Sequence, residues 1–316
     1  MNSLELFKTQ KFYQIDISIL KDLGYDVLLS NRIFDSLLFW KYDILFSYFY
    51  RYSFFAALLA KCFGKKTYFT GGIDSLDSDY ASAFNYKIQA LFFKLCYWVA
   101  DSCIIVSQSD LKNIFKVSSL KKKLSYSEHV INTKLFIADV PKEKIFTSIV
   151  WMGDEGNVVR KGVDKALQIF AELKKIPEFV DYRFVIIGRK GEGEVLVRSI
   201  IDKYNLKGSV ELKGEVSEED KINLLKQSKY YFQLSLYEGF GLAALEALCA
   251  NNIIIHSGKG GLANPIYKEQ LLFDIDNDFD SELLKLVNKL ACFTPITSYD
   301  NLLAVSYTHL RAHETL

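Results

Sequence analysis

The sequence predicts an α/β protein made of two Rossmann-like domains. Three observations carry this. Short apolar runs alternate with amphipathic helical stretches along the chain, the alternation breaks once at a polar stretch containing a proline, and the second block repeats the pattern of the first. The 316 residues agree, at ~150 residues per domain. Half of the residues (50%) are hydrophobic, enough for two cores.

Each element follows in order. Residues 12–23 have apolar side chains at helical spacing and stop at Gly24, a C-cap residue. Residues 26–30, 43–47 and 66–70 read as short strands. Residues 51–63 read as a buried helix ending at Gly64, and 80–99 as a long amphipathic helix. Strands at 102–106 and 123–130 complete the first block. The polar stretch 137–144 is the break, which sets the expected domains at 1–140 and 141–304. The second block reads strand 145–152, helix 161–174, strand 183–187, helix 194–204, strand 209–212, helix 218–227 and strand 230–234. A Gly-rich loop, helix 242–250, strand 253–256, a short strand 271–273 and helix 280–290 finish it. Such alternation implies parallel sheets covered on both faces, with ligands beyond the carboxyl ends of the strands.

Composition excludes several classes. Lys+Arg is 39 against Asp+Glu 38, so the basic surplus that binding nucleic acid by bulk charge requires is missing. Five cysteines without a C-x-x-C pair fit a reducing cytoplasm. The greasiest stretch, 37–63, is interrupted by Lys41, Asp43, Arg51 and Lys61, and no run reaches the ~20 apolar residues of a spanning helix. Its aromatics, with Lys121–Lys123, allow peripheral contact with the inner face of the plasma membrane. Residues 305–315 read VSYTHLRAHET, and all eleven match the translation of a transposon-end sequencing oligonucleotide. The tail 305–316 is therefore expected to be adaptor-derived, and His309 and His313 to carry no function.

The chemistry concentrates in one segment. Glu238 precedes Gly239-Phe240-Gly241, and Glu246 lies eight residues after Glu238. Gly239 and Gly241 let the backbone approach a ligand closely. The helix opening there aims its N–H groups and positive end at the same point, which suits a phosphate. Carboxylates on either side of that phosphate can grip hydroxyls, and a nucleotide sugar has this shape. A glycine-hinged turn beside a surface Glu is the plainer alternative. No Asp-x-Asp motif or histidine cluster points to a metal. His129 and His256 read as polar residues at strand ends.

EGFGLAALEA, with an apolar strand before it and NNIIIHSGKGG after it, resembles the retaining glycosyltransferases of the GT-B fold, known as group 1 or family four. RKG at 160–162, VIIG at 185–188 and ELKGEVSEED at 211–220 match in the same order, as do ADSCIIVSQSD and HVINTKLF in the first block. The resemblance covers most of residues 12–291. It implies a GT-B fold with two Rossmann-like domains facing a cleft. The chain opens at what resembles the family's first helix, so the fold is expected to be truncated at both ends. The implied activity is transfer of a sugar, with retention and without metal or other cofactor. The donor would be a UDP- or GDP-linked nucleotide sugar, and the acceptor a glycan or a lipid-linked molecule. A bias to Lys, Ile, Asn, Tyr and Phe fits an AT-rich bacterial genome, and the resemblance implies a role in bacterial cell-surface polysaccharide synthesis.

Residue roles follow from the resemblance alone. Glu238 would contact the transferred sugar, and the N–H groups of Phe240 to Leu242, freed by Gly239 and Gly241, would hold sugar and phosphate. Glu246 would bind the ribose hydroxyls. Lys161, helped by Arg160, would neutralise the diphosphate. Val216 falls where the family's backbone meets the nucleobase, and Gly188 in a donor-side turn. Three positions depart from the family: Asp154 in place of Arg, Gly71 in place of His, and Asn264 in place of Glu. The alternative they favour is a non-catalytic GT-B module that binds a glycan or a partner transferase. Retention of Glu238, Glu246 and Lys161 favours the enzyme.

Overall fold

The computed structural model describes residues 3–292 except 10, 72–75, 79–80, 120, 130 and 138–139. The adaptor-like tail, Gly72 and Val130 therefore lie outside the described residues. The chain divides into two compact units, residues 1–130 and 131–316.

The first unit contains α1 (Ser3–Thr9), α2 (Lys11–Asp22), β1 (Ile44–Tyr48), α3 (Tyr50–Cys62), β2 (Lys66–Thr70), α4 (Ala83–Val99), β3 (Ser102–Ile105), α5 (Gln108–Val117) and β4 (Leu124–Tyr126). The strands pair in parallel in the order β1-β2-β3-β4. Its core gathers Tyr50, Phe69, Phe93, Cys96 and Ile114, with Tyr50 stacked on Phe69 at 5.5 Å. The expected strand at 26–30 does not form. Leu28 there is 71% exposed and no strand pairs with the segment, so its backbone groups have no ladder to join. The expected strand at 123–130 shortens to β4. Helix α5 was not foreseen. Its signal is Ser107, whose hydroxyl accepts from the Asp110 N–H, a capping-box spacing.

The second unit contains β5 (Glu143–Ile149), α6 (Glu155–Arg160), α7 (Val163–Leu173), β6 (Arg183–Ile187), α8 (Glu194–Lys203), β7 (Val210–Gly214), α9 (Glu218–Gln227), β8 (Ser228–Gln233), α10 (Leu242–Cys249), β9 (Ile253–His256), β10 (Leu271–Leu272) and α11 (Phe279–Cys292). All six strands are parallel, in the order β10-β9-β8-β5-β6-β7. The chain steps outward from β5 through β6 to β7, then returns to β8 and steps the other way. The direction reverses between β5 and β8, the place where open α/β sheets bind ligands. The core stacks Phe146 against Tyr230 (4.6 Å) and Phe232 (5.0 Å).

The unit boundary falls at 130/131, ahead of the expected 140/141. Ile131 and Phe136 are buried against Leu245 and Tyr267, which ties this segment to the second unit. Strand β5 also begins inside the expected linker. Just before it, Lys142 Nζ donates to the carbonyls of Leu225 (3.3 Å) and Ala250 (2.5 Å), at the C-terminal ends of α9 and α10. Helix-end carbonyls lack intrahelical partners and favour a cation. Among the described residues no helix is long and apolar enough to cross a membrane.

Candidate active site

The site grows from the loops that follow β5 and β8. After β5 the chain forms α6 and turns at Lys161-Gly162. The expected single helix at 161–174 is instead α7 alone, and Lys161 is the C-cap of α6. Gly162 forces the break. Its φ is +68°, and a Cβ there would lie 2.0 Å from the Leu234 carbonyl oxygen, so only glycine fits. The Leu236 N–H donates to the Arg160 carbonyl at 2.8 Å and stitches the two loops together.

That stitching brings Lys161 to Glu238. Lys161 Nζ donates to Glu238 Oε1, and both side chains are mostly buried, at 22% and 12% exposure. Gln233 Nε2 and Ser235 Oγ donate to the same oxygen, each at 2.9 Å. Gln233 is itself buried, and its Oε1 accepts from the Tyr231 hydroxyl at 3.1 Å. That hydroxyl in turn accepts the Ile149 N–H at 3.3 Å. A continuous hydrogen-bond chain thus links the end of β5 to the Glu238 carboxylate. Among the described residues no donor reaches Glu238 Oε2.

The Gly-Phe-Gly turn is moulded by the late Gly-Gly. A Cβ on Gly260 would lie 2.2 Å from the Glu238 carbonyl oxygen, and one on Gly261 would lie 2.6 Å from the Phe240 backbone. The Gly261 N–H donates to the Glu238 carbonyl at 2.6 Å. On the other side, nothing lies within 4 Å of a Cβ built on Gly239, so that side of the turn is open. Gly241 has φ +88° and opens α10, and its carbonyl accepts from the Tyr267 hydroxyl at 3.3 Å. Phe240 and Leu242 are half-buried against the core beneath. No side chain caps α10 and no acid sits in its first turn. Helices α4, α5, α6 and α9 each begin with a capping Ser or Asp. Helices α7 and α8 also open on glycine, but carry Asp164 and Glu194 in their first turns, while α3 shares with α10 the lack of both cap and acid. Helix α10 therefore presents bare N–H groups and a positive end beside Glu238.

The other expected residues are placed as follows. Glu246 lies in the second turn of α10, is buried, and accepts from Lys221 Nζ at 2.8 Å. It shares none of Glu238's three donors. Arg160 is not gathered into the Lys161–Glu238 cluster. Its Nη2 (2.6 Å) and Nε (3.2 Å) donate to Asn157 Oδ1 within its own helix. Gly188 ends β6 at φ +128°, where a Cβ would lie 2.0 Å from the Val150 carbonyl oxygen. Val216 is half-buried beside Ile187 and Leu224. Two family departures hold caps: Asp154 accepts the Asn157 N–H at 2.6 Å, and Asn264 the Ile266 N–H at 3.0 Å. Gly71 sits at φ +105° against Phe49. Burial lowers the pKa of His129 and of His256 to about 4, so both imidazoles are neutral. Among the described residues no group of three or more His, Cys, Asp or Glu is placed to hold a metal.

Gln233, Ser235, Lys221, Gly260 and Gly261 were not foreseen as site residues. Gln233 had a signal, as the one polar side chain in the run YYFQL.

The strand order, with glycine-hinged loops at its reversal, defines an open, doubly wound α/β fold. The same architecture occurs in Anabaena HepE, solved in complex with UDP, at a TM-score of 0.68 and 14% identity over 89% of this chain and 80% of that one. The chain has the GT-B fold. Residues 156–290, within the second unit, match the family model for glycosyl transferases group 1. A GDP-mannose:cellobiosyl-diphosphopolyprenol alpha-mannosyltransferase of Xanthomonas oryzae is 32% identical over 144 residues, 39% of this chain and 37% of the relative. A human phosphatidylinositol N-acetylglucosaminyltransferase is 30% identical over 105 residues, 33% of this chain and 21% of the relative. The chain thus spans well under half the length of these curated relatives.

Proposed function

We propose that the protein is a retaining hexosyltransferase that moves a sugar from a UDP- or GDP-linked donor to a glycan or lipid-linked acceptor. The observation that carries this is the Lys161–Glu238 pair at the carboxyl ends of β5 and β8, beside the uncapped start of α10. A diphosphate at that start meets the bare N–H groups and the Lys161 ammonium. As the glycosidic bond breaks, negative charge grows on the departing phosphate, and both groups stabilise it without a metal. Glu238 Oε2 is left to accept a hydroxyl of the sugar. Glu246, held by Lys221, is the candidate for the ribose.

The relatives' names support both donor types, GDP-mannose in Xanthomonas and UDP in Anabaena, and two of the names carry a lipid-borne acceptor. We place the activity in bacterial cell-surface polysaccharide synthesis, in the cytoplasm and peripherally at the inner face of the plasma membrane.

The test separates enzyme from binding module. Glu246→Ala removes contacts that persist through the reaction and should chiefly raise KM. Glu238→Ala removes a contact where charge develops and should chiefly lower kcat, while free UDP or GDP still binds. Unchanged donor binding and turnover in both variants would defeat the sugar-nucleotide reading. Donor binding with no transfer to any acceptor or to water would make the chain a non-catalytic module.

A further inference from the structure

The first unit carries a surface that the sugar-nucleotide site does not use. The connections β1-α3-β2, β2-α4-β3 and β3-α5-β4 step across the sheet in one direction. Right-handed crossovers of that kind set all three helices on one side.

Their outer surfaces share two properties. The first is one-signed charge. Helices α3 and α4 contain no Asp or Glu, and the single acid of α5, Asp110, is fully buried. Arg51, Lys87, Lys94, Lys112 and Lys116 are exposed, whereas Lys61 is neutralised by Asp101 at 2.8 Å. The second is exposed apolar bulk between those cations. Tyr52 and Phe55 stand out from α3, and Phe115 from α5. On α4, Phe84, Lys87, Leu91, Lys94 and Trp98 form one exposed stripe, with Phe84 and Trp98 each 71% exposed. At 1.5 Å per residue the stripe is ~21 Å long.

A helical partner would need apolar groups at every stripe position, yet alternate positions here are lysines whose charge it would strip of water. A lipid surface makes no such demand. Lysine stems lie along apolar surface while their ammonium groups rise to the headgroups. Phe and Trp enter the acyl boundary, as in helices that lie in the interface plane. We infer that the α3–α5 face docks on an anionic bilayer, with the α4 stripe as the contact and lipid phosphates as the ligand. This deepens the peripheral part of the proposed function. It rests on different residues from the transfer site, so either can fail alone.

The experiment is sedimentation of the full chain with phosphatidylcholine vesicles, with and without about a third phosphatidylglycerol. Binding is expected on the anionic vesicles alone, and its loss at about 0.5 M salt. Each cation contributes roughly five-fold, so R51Q/K87Q/K94Q should weaken partition about 100-fold. F84S/W98S should also release the chain, although its charge is unchanged. An unchanged melting temperature and nucleotide titration show that both variants are folded. Equal binding to neutral and anionic vesicles, binding to neither, or unaltered partition in the charge variant would overturn the inference. So would light scattering that shows the stripe holding two copies together while vesicle binding survives its loss.

Discussion

Lys161→Ala tests the centre of the site. Removing one partner of a fully buried ion pair costs about 3–5 kcal/mol, and an exposed pair is worth about 0–1 kcal/mol. Here the side chains are 22% and 12% exposed. Glu238 also keeps Gln233 and Ser235 as donors to Oε1, so its charge is not orphaned. The expected stability loss is therefore intermediate, about 1–2 kcal/mol, or a fall of a few degrees in Tm. The loss in turnover should be far larger. A charge partner of the transition state is worth ~100-fold or more. Release of UDP or GDP from a panel of sugar donors measures turnover, and calorimetry measures stability. Turnover close to the parent's would remove Lys161 from the chemistry. A Tm collapse matching the activity loss would make it a structural residue instead.

Three further outcomes are expected. Gln233→Leu removes a donor from Glu238 and the acceptor of the Tyr231 hydroxyl, and should cost about 1–3 kcal/mol in denaturant titration; a neutral result would discount the chain from β5. Burial lowers the Lys142 pKa from its ordinary 10.5 to about 8, so its charged form is disfavoured in the folded state. That penalty is full below about pH 8 and is relieved as pH rises toward 10.5, so the parent should gain stability relative to Lys142→Met between pH 7.5 and 9.5; a constant difference would contradict the buried ammonium. A chelator should leave turnover unchanged, and its abolition would show that Lys161 and α10 do not supply the charge alone.

The second unit was legible because parallel strands buried on both faces leave continuous apolar runs, such as Phe184 to Ile187. The glycines around Glu238 were legible because a tight turn and a close approach each demand them. The partnership of Lys161 with Glu238 was not, since they lie 77 residues apart and only the reversal of strand order at β5 and β8 brings them together. The short helices α5 and α6 escaped for a different reason. Ten and six residues carry too little periodicity to stand out, and their capping residues, Ser107 and Asp154, were the available signals. The segment 26–30 shows the converse, with an apolar pattern but no neighbour to pair with.

The two oxygens of the Glu238 carboxylate are not equivalent. One takes three donors from the protein, and the other takes none among the described residues. An amide in its place would settle one way round, since its carbonyl oxygen alone can receive those three donors. Its amino group would then occupy the outward position. Glu238→Gln is thus a change of sign rather than of shape. In the proposed role it would turn a group that receives a hydroxyl proton into one that offers a proton of its own, within an otherwise unaltered frame. A sugar hydroxyl can answer by exchanging donor for acceptor, so ground-state binding should persist. A positive centre forming on the sugar has no such exchange open to it, and would meet a neutral neighbour in place of an anion.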